Sequence, residues 1–364
     1  MADASEETRP IDEPRRPTLR VGIAGLGRAV FSGHLPALKA LPELYSVVAV
    51  CDLLKERRDL VEKDFPNVRT YRRVEDMLDD PDIDLVDVAL PSAEHVNVAM
   101  SSLQRNKWTL VETPLAVSQD DAKILQAAAV KTRGKLVAYT PGLFSPDFRL
   151  ALSLVEDPRL GDVFEVHVRH QDYVRRDDWR SVKRCLGGCV WHSGTDAVLQ
   201  ALALMRSRPA QLWSELKRVV SLGDAEDFAH IVLKARTNVS AAVELCGGRL
   251  SPYDPSFTIC GTRGSFSVAP GAAEGVMHVI DPVFRFPRRR SSVRTPPLCD
   301  MHESFPIVDL PCALPPGTDT GPTAFWRALY ATIRTAAPFP VALDDVLETV
   351  RYLQIVKKAS PCST

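Results

Sequence analysis

The chain lacks any apolar run of the roughly 18 residues that a membrane span requires. It is also short of net charge: 45 basic and 46 acidic side chains leave −1 at pH 7. Nothing in that balance calls for nucleic acid or an anionic bilayer. None of the eight cysteines forms a CxxC pair, and in 364 residues they make no dense framework. The expectation is free thiols in a reducing cytoplasm. The opening stretch, MADASEETRPIDEPRRPTLR, has no apolar signal core. Its charge and proline predict a disordered tail over residues 1–18.

Apolar strands alternating with amphipathic helices fill the next part. LRVGIA, SVVAVCD, VRTY, IDLVDVAL, WTLVE and KLVAY read as six strands. The helical segments between them predict a parallel sheet covered on both faces. After Tyr139 the rhythm changes. DVFEVHVRH, QLWSELKRVV, AHIVLKAR, SAAVELC, SFTICGT and GSFSVA alternate between apolar and polar residues and are joined by short turns. They predict an open, mostly antiparallel sheet with helices on one face. Residues 281–320, rich in proline and arginine, read as a long excursion, and two helices close the chain.

Gly25-Leu26-Gly27 follows the first strand, and Asp52 ends the second. Such a turn lets the backbone approach a pyrophosphate, and the next helix presents its N-terminal amides and partial positive charge. Asp52 can accept both ribose hydroxyls of an adenosine and would repel a 2′-phosphate, which favours NAD over NADP. Val30 stands where the third glycine of the fingerprint would be. Arg28 lies in the same turn.

These pieces, with ALPSAEHVNVAMSSL, TLVETPLAVS, GGCVWHSGTDAVLQAL and PFPVALDDVLETVRYLQ, resemble the Gfo/Idh/MocA oxidoreductases in order and spacing, from residue 19 to about residue 358. The resemblance implies a Rossmann dinucleotide-binding domain over 19–141. It also implies an α/β substrate domain over 142–364, whose open sheet commonly mediates homo-oligomerisation. Pro91, Ser92, His95 and Glu112 fall on segments that border the cofactor in the family.

Two departures stand out. The family usually carries Glu-Lys-Pro where this chain has Glu112-Thr113-Pro114. A threonine offers one hydrogen bond but no cation for a carbonyl or alkoxide. Further on, the family pattern sets an aspartate four residues before a histidine, the latter often the general acid/base. Here His192 and Asp196 hold those places in exchange. At i and i+4 they would share a helix face, so Asp196 is expected to orient His192, which would titrate near neutrality. Lys183 is the candidate to restore the missing cation, and Tyr139 is expected near the nicotinamide. Tyr173 and Trp179 are pocket-wall candidates. Cys185, Cys189 and His192 space like metal ligands but lack a fourth, so no metal is expected.

The reading is an oxidoreductase acting on a sugar, cyclitol or related hydroxylated small molecule. Two alternatives stay open. One is a lyase, hydrolase or epimerase that uses bound NAD without net redox. The other is a catalytically silent nucleotide or ligand sensor.

Overall fold

The computed structural model describes residues 18–250, 254–286 and 305–359. Residues 1–17 of the expected tail, and the arginine run beyond Phe286, lie outside them. Six strands form the first sheet: β1 (Leu19–Ala24), β2 (Tyr45–Cys51), β3 (Arg69–Tyr71), β4 (Leu85–Val88), β5 (Trp108–Glu112) and β6 (Leu136–Tyr139). All their pairings are parallel, in the order β3-β2-β1-β4-β5-β6. Both faces are covered, so β1 and β4 are almost wholly buried and apolar. The order reverses between β1 and β4. At that switch point the loops after the strands splay apart and leave a crevice.

The turn after β1 leads into a wide helical turn, Val30–His34, which continues as α1 (Leu35–Lys39) with Pro36 in its first turn. Four more helices cover the sheet: α2 (Lys55–Asp64), α3 (Val74–Leu78), α4 (His95–Gln104) and α5 (Gln119–Lys131). Ser118 caps α5 by accepting from the Asp121 amide.

The chain leaves through α6 (Pro146–Leu154) and enters the second sheet. Its strands are β7 (Val163–Gln171), β8 (Pro209–Lys217), β9 (Phe228–Ala235), β10 (Ser240–Cys246), β11 (Phe257–Gly261), β12 (Gly264–Val268), β13 (Glu274–Ile280) and β14 (Ile307–Ala313). They lie in the order β14-β13-β12-β11-β7-β10-β9-β8, antiparallel except for β7 with β10. The molecule therefore has the expected α/β class, a Rossmann sheet joined to a mostly antiparallel one. Two elements depart from the sequence reading. β13 is not among the expected strands, and β14 falls inside the stretch read as an excursion for its proline and arginine, with Pro311 within it. β14 is an edge strand, where a missing N–H costs no ladder bond.

Helix α7 (Cys189–Met205) buries Val190, Ala197, Val198, Ala201 and Leu204 against the inner face of this sheet. The outer face is open, with Trp213, Val276 and Ile307 exposed on it. Helix α8 (Gly321–Thr335) turns back: Phe325, Trp326 and Leu329 pack into the core of the first sheet. Helix α9 (Leu343–Ala359) joins the two, with Val346 and Val350 in one core and Leu353 and Val356 in the other.

Candidate active site

The crevice at the switch point is a cleft of about 900 Å³. That is at the upper end of the range for small-molecule sites. Loops from the carboxyl ends of β1, β2, β4 and β5 supply Gly25, Gly27, Arg28, Asp52, Pro91, Ser92, His95, Glu112 and Thr113 to its wall. Gly25 has φ +92°, and a Cβ there would lie 2.5 Å from the Ala89 carbonyl oxygen. A side chain is therefore excluded by both backbone strain and contact. At Gly27 a Cβ would meet nothing within 4 Å, so the backbone faces open space. These two observations fit a dinucleotide at this edge.

Asp52 is already engaged. Its Oδ2 accepts from the Leu26 amide at 2.9 Å and lies 3.3 Å from Arg57 Nη1, while Oδ1 accepts from the Leu54 amide at 2.9 Å. Arg57, Arg72 and Arg73 share that end of the cleft. His95 bridges two loops, with Nδ1 2.8 Å from the Pro114 carbonyl and Nε2 2.8 Å from the Leu90 carbonyl. Arg28 reaches across the cleft mouth to Asp178, at 3.3 Å.

Behind Glu112 lies a buried constellation that the sequence reading missed. His34 Nδ1 is 2.7 Å from Asp87 Oδ2, and its Nε2 is 2.9 Å from Glu112 Oε1. His34 and Asp87 are both 0% exposed, while the Glu112 side chain retains 20% at the cleft wall. Burial disfavours the imidazolium. The two carboxylates outweigh it and hold the pKa of His34 up to about 10. Burial pushes the carboxyl of Glu112 upward, but the bond from His34 brings it below its ordinary value. The Tyr139 ring packs on His34 with centroids 4.0 Å apart and planes tilted by 39°, and against Phe325 at 4.8 Å. Tyr139 is a core residue behind this cluster and lines neither cavity. One signal was available in the sequence: an aspartate in the middle of an apolar parallel strand needs a buried partner.

On the other side of the cleft, His192 stands in the first turn of α7. The helix begins at Gly188, which has φ +112° and packs its Cα against the Glu226 carboxylate. His192, Gly188 and Arg180 line both the cleft and a second cavity of about 430 Å³ over the second sheet. The expected pair with Asp196 is not formed. His192 Nε2 is 3.4 Å from Arg176 Nη2, whereas Asp196 Oδ2 accepts from the Gly142 amide at 3.0 Å. Residues i and i+4 share a face, but their rotamers send the two groups to different neighbours. Burial, with Arg180 and Arg176 next, drives His192 down to about 4 rather than near neutrality. Asp196 is pushed up to about 7 by burial, against the bond from Gly142.

Lys183 is exposed and lines neither cavity, because the turn at Lys183–Cys185 points it outward. The cations beside His192 are Arg176 and Arg180. They lie in an arginine-rich segment where sequence alone does not say which side chains turn inward. Trp179 lines the cleft, and Tyr173 is exposed. Among the described residues, the metal-like grouping is Glu165, His167 and Cys260 on the second sheet, not the cysteines near His192.

Comparison with known proteins places this geometry. The description "Oxidoreductase family, NAD-binding Rossmann fold" matches residues 19–140, and "GFO/IDH/MocA C-terminal domain" matches residues 148–267. An uncharacterized oxidoreductase of Schizosaccharomyces pombe is 31% identical over 258 residues, covering 68% of this chain and 69% of the relative. This chain belongs to the Gfo/Idh/MocA oxidoreductase family. It is thus an NAD(P)-binding oxidoreductase. A scyllo-inositol 2-dehydrogenase (NADP(+)) of Bacillus subtilis, IolW, is 22% identical across 94% of both chains. Among solved structures, an NAD-binding protein from Listeria innocua has a TM-score of 0.79 at 19% identity, covering 94% of this chain and 95% of its own. GenD2 from gentamicin A biosynthesis, in complex with NAD, has a TM-score of 0.73 at 18% identity, covering 97% of each chain.

Proposed function

We propose that this family member oxidises or reduces a sugar, cyclitol or related hydroxylated small molecule, with NAD(H) as the preferred cofactor. One observation carries the reading: His192, Gly188 and Arg180 line both the nucleotide cleft and a second cavity, into which several charged side chains also reach. A substrate there would meet the nicotinamide end of the cleft. The inositol dehydrogenase named among the relatives supports a hydroxylated substrate. Asp52 supports NAD, since its carboxylate faces the adenosine end.

In this reading Gly25, Gly27, Asp52, Pro91, Ser92, His95, Glu112 and Thr113 hold the nucleotide, with Arg28 at the mouth. The nicotinamide supplies the hydride carrier when bound. His192, neutral at physiological pH, accepts the hydroxyl proton as the carbinol becomes a carbonyl. The His34–Asp87 pair fixes Glu112 at the wall. Asp196 acts on the Gly142 turn rather than on the imidazole. The open sheet face with Trp213, Val276 and Ile307 is the surface assigned to self-association.

The test is calorimetry with NAD(H) and NADP(H), followed by NADH absorbance over a panel of polyols and sugars. Tighter NADP binding would reverse the cofactor assignment and implicate Arg57, Arg72 and Arg73. Substrate turnover without any change in NADH would favour the reading in which bound NAD is recycled.

A further inference from the structure

The cavity beyond His192 is lined by many charged side chains, but most are already satisfied. Asp147 accepts from Ser256 Oγ at 2.8 Å, from the Gly271 amide at 3.0 Å and from its neighbouring Phe148 amide at 2.9 Å. Asp227 takes three backbone amides, from Val219, Val220 and Ser221, at 2.6–2.8 Å. Glu226 Oε2 is ion-paired with Lys357 at 2.6 Å, its Oε1 having no hydrogen-bond partner among the described residues, and Asp254 is ion-paired with Arg249 at 2.6 Å. Arg169 donates to the Pro255 carbonyl and to Thr258.

Two cations are left over. Arg176 Nη1 and Arg180 Nε are buried and have no hydrogen-bond partner among the described residues. Both side chains line the cavity, and they flank His192. Asp178, whose charge favours the Arg180 guanidinium, makes its hydrogen bonds elsewhere: Oδ2 is 3.3 Å from Arg28, and Oδ1 accepts the Arg180 backbone amide at 2.9 Å. Two guanidiniums with open N–H groups in a half-buried site are costly unless an anion arrives. Their planar forks match a carboxylate.

We propose that the substrate is a polyhydroxylated carboxylic acid, a sugar acid, whose carboxylate is held by Arg176 and Arg180. This rests on the oxidoreductase reading above and narrows its substrate class. The carboxylate is a spectator. One carbinol carbon gives its hydride to the oxidised nicotinamide and its hydroxyl proton to His192, leaving a keto acid and the reduced cofactor. The anion also does something for the base. The repulsion that Arg180 and Arg176 exert on a protonated His192 is neutralised when the carboxylate binds, so proton acceptance becomes easier once substrate is in place.

The experiment uses the full chain loaded with NAD and compares glucuronate and gluconate with glucuronamide and glucose. Binding is read by calorimetry and turnover by NADH absorbance. At least one acid should bind about 10–100-fold more tightly than its uncharged counterpart. Arg176→Met should erase that preference while leaving NAD affinity unchanged, and Arg176→Lys should restore part of it. Equal binding of acid and amide by the unaltered protein, or no binding of either acid, overturns the proposal. Because the acid–amide pair is tested on unaltered protein, a variant that fails to fold does not decide the matter. Acid binding without change in NADH would keep the carboxylate site and remove the redox reading. Neutral sugars oxidised as efficiently as the acids would do the reverse.

Discussion

His34→Ala removes the centre of the buried Asp87–His34–Glu112 chain, and its cost can be worked from the geometry. Asp87 is 0% exposed, and its Oδ1 already has no hydrogen-bond partner among the described residues. Without the imidazolium, Oδ2 loses its 2.7 Å partner as well. Breaking one side of a buried ion pair typically costs about 3–5 kcal/mol, because an uncompensated charge stays behind. The titration argument agrees in direction: against burial, the two carboxylates raise His34 from 6.5 to about 10, while burial raises Asp87, whose protonation relieves part of the loss. Loss of the ring packed on Tyr139 adds a cavity. A loss of about 4 kcal/mol is expected, read as a fall of about 5–10 °C in the thermal midpoint and a matching shift in denaturant midpoint. Tryptophan fluorescence can follow both, since Trp326 lies 6.0 Å from the ring. The pH dependence has a definite sign. The folded value is raised, so the contribution is fully present below pH 6.5 and fades as pH climbs through about 10. Adding Asp87→Asn to His34→Ala should recover more than half of the loss, because the stranded charge is gone. A single-variant cost below about 1 kcal/mol, or a double variant no better than the single, would refute the reasoning.

Asp196→Asn should stabilise the protein above neutral pH by on the order of 3 kcal/mol. The raised folded value makes stability fall as pH rises from about 4 to about 7, and the variant should flatten that slope in denaturation curves run across the range. His192→Ala should lower kcat about 10²–10⁴-fold with NAD affinity nearly unchanged, by steady-state kinetics beside calorimetry; normal turnover would remove its catalytic role. Gly25→Ala should weaken NAD binding at least about tenfold and destabilise the fold by about 1–2 kcal/mol or more, since φ +92° is strained for alanine and Ala89 blocks its Cβ. Thr113→Lys should change turnover by less than about tenfold, because in the proposed function the proton goes to His192.

Composition, periodicity and the Gly25-Leu26-Gly27…Asp52 spacing made the first sheet and its cleft legible. Parallel strands announce themselves as apolar runs, and glycines near a pyrophosphate are required by backbone geometry rather than by distant partners. The alternation after Tyr139 likewise announced the second sheet, except for β13 and for β14, which lies inside the proline- and arginine-rich stretch. The family resemblance placed the cofactor segments in order along the chain.

What the sequence could not decide was which way side chains turn and what meets them. His192 and Asp196 share a helix face in the sequence, yet one lies beside Arg176 and the other on the Gly142 amide. Lys183 and Arg180 are equally basic letters three residues apart, yet only Arg180 reaches the cavity. Helix α8 is far along the chain from the first sheet, yet Trp326 is buried in its core. Local sequence carries the period of a helix or a strand, because that is set by near-neighbour geometry. Pairings such as His34 with Asp87 and Glu112, 53 and 78 residues apart, exist only once the strands have docked side by side. Burial then fixes their charge, because an ion out of water keeps its charge only where a counter-charge waits.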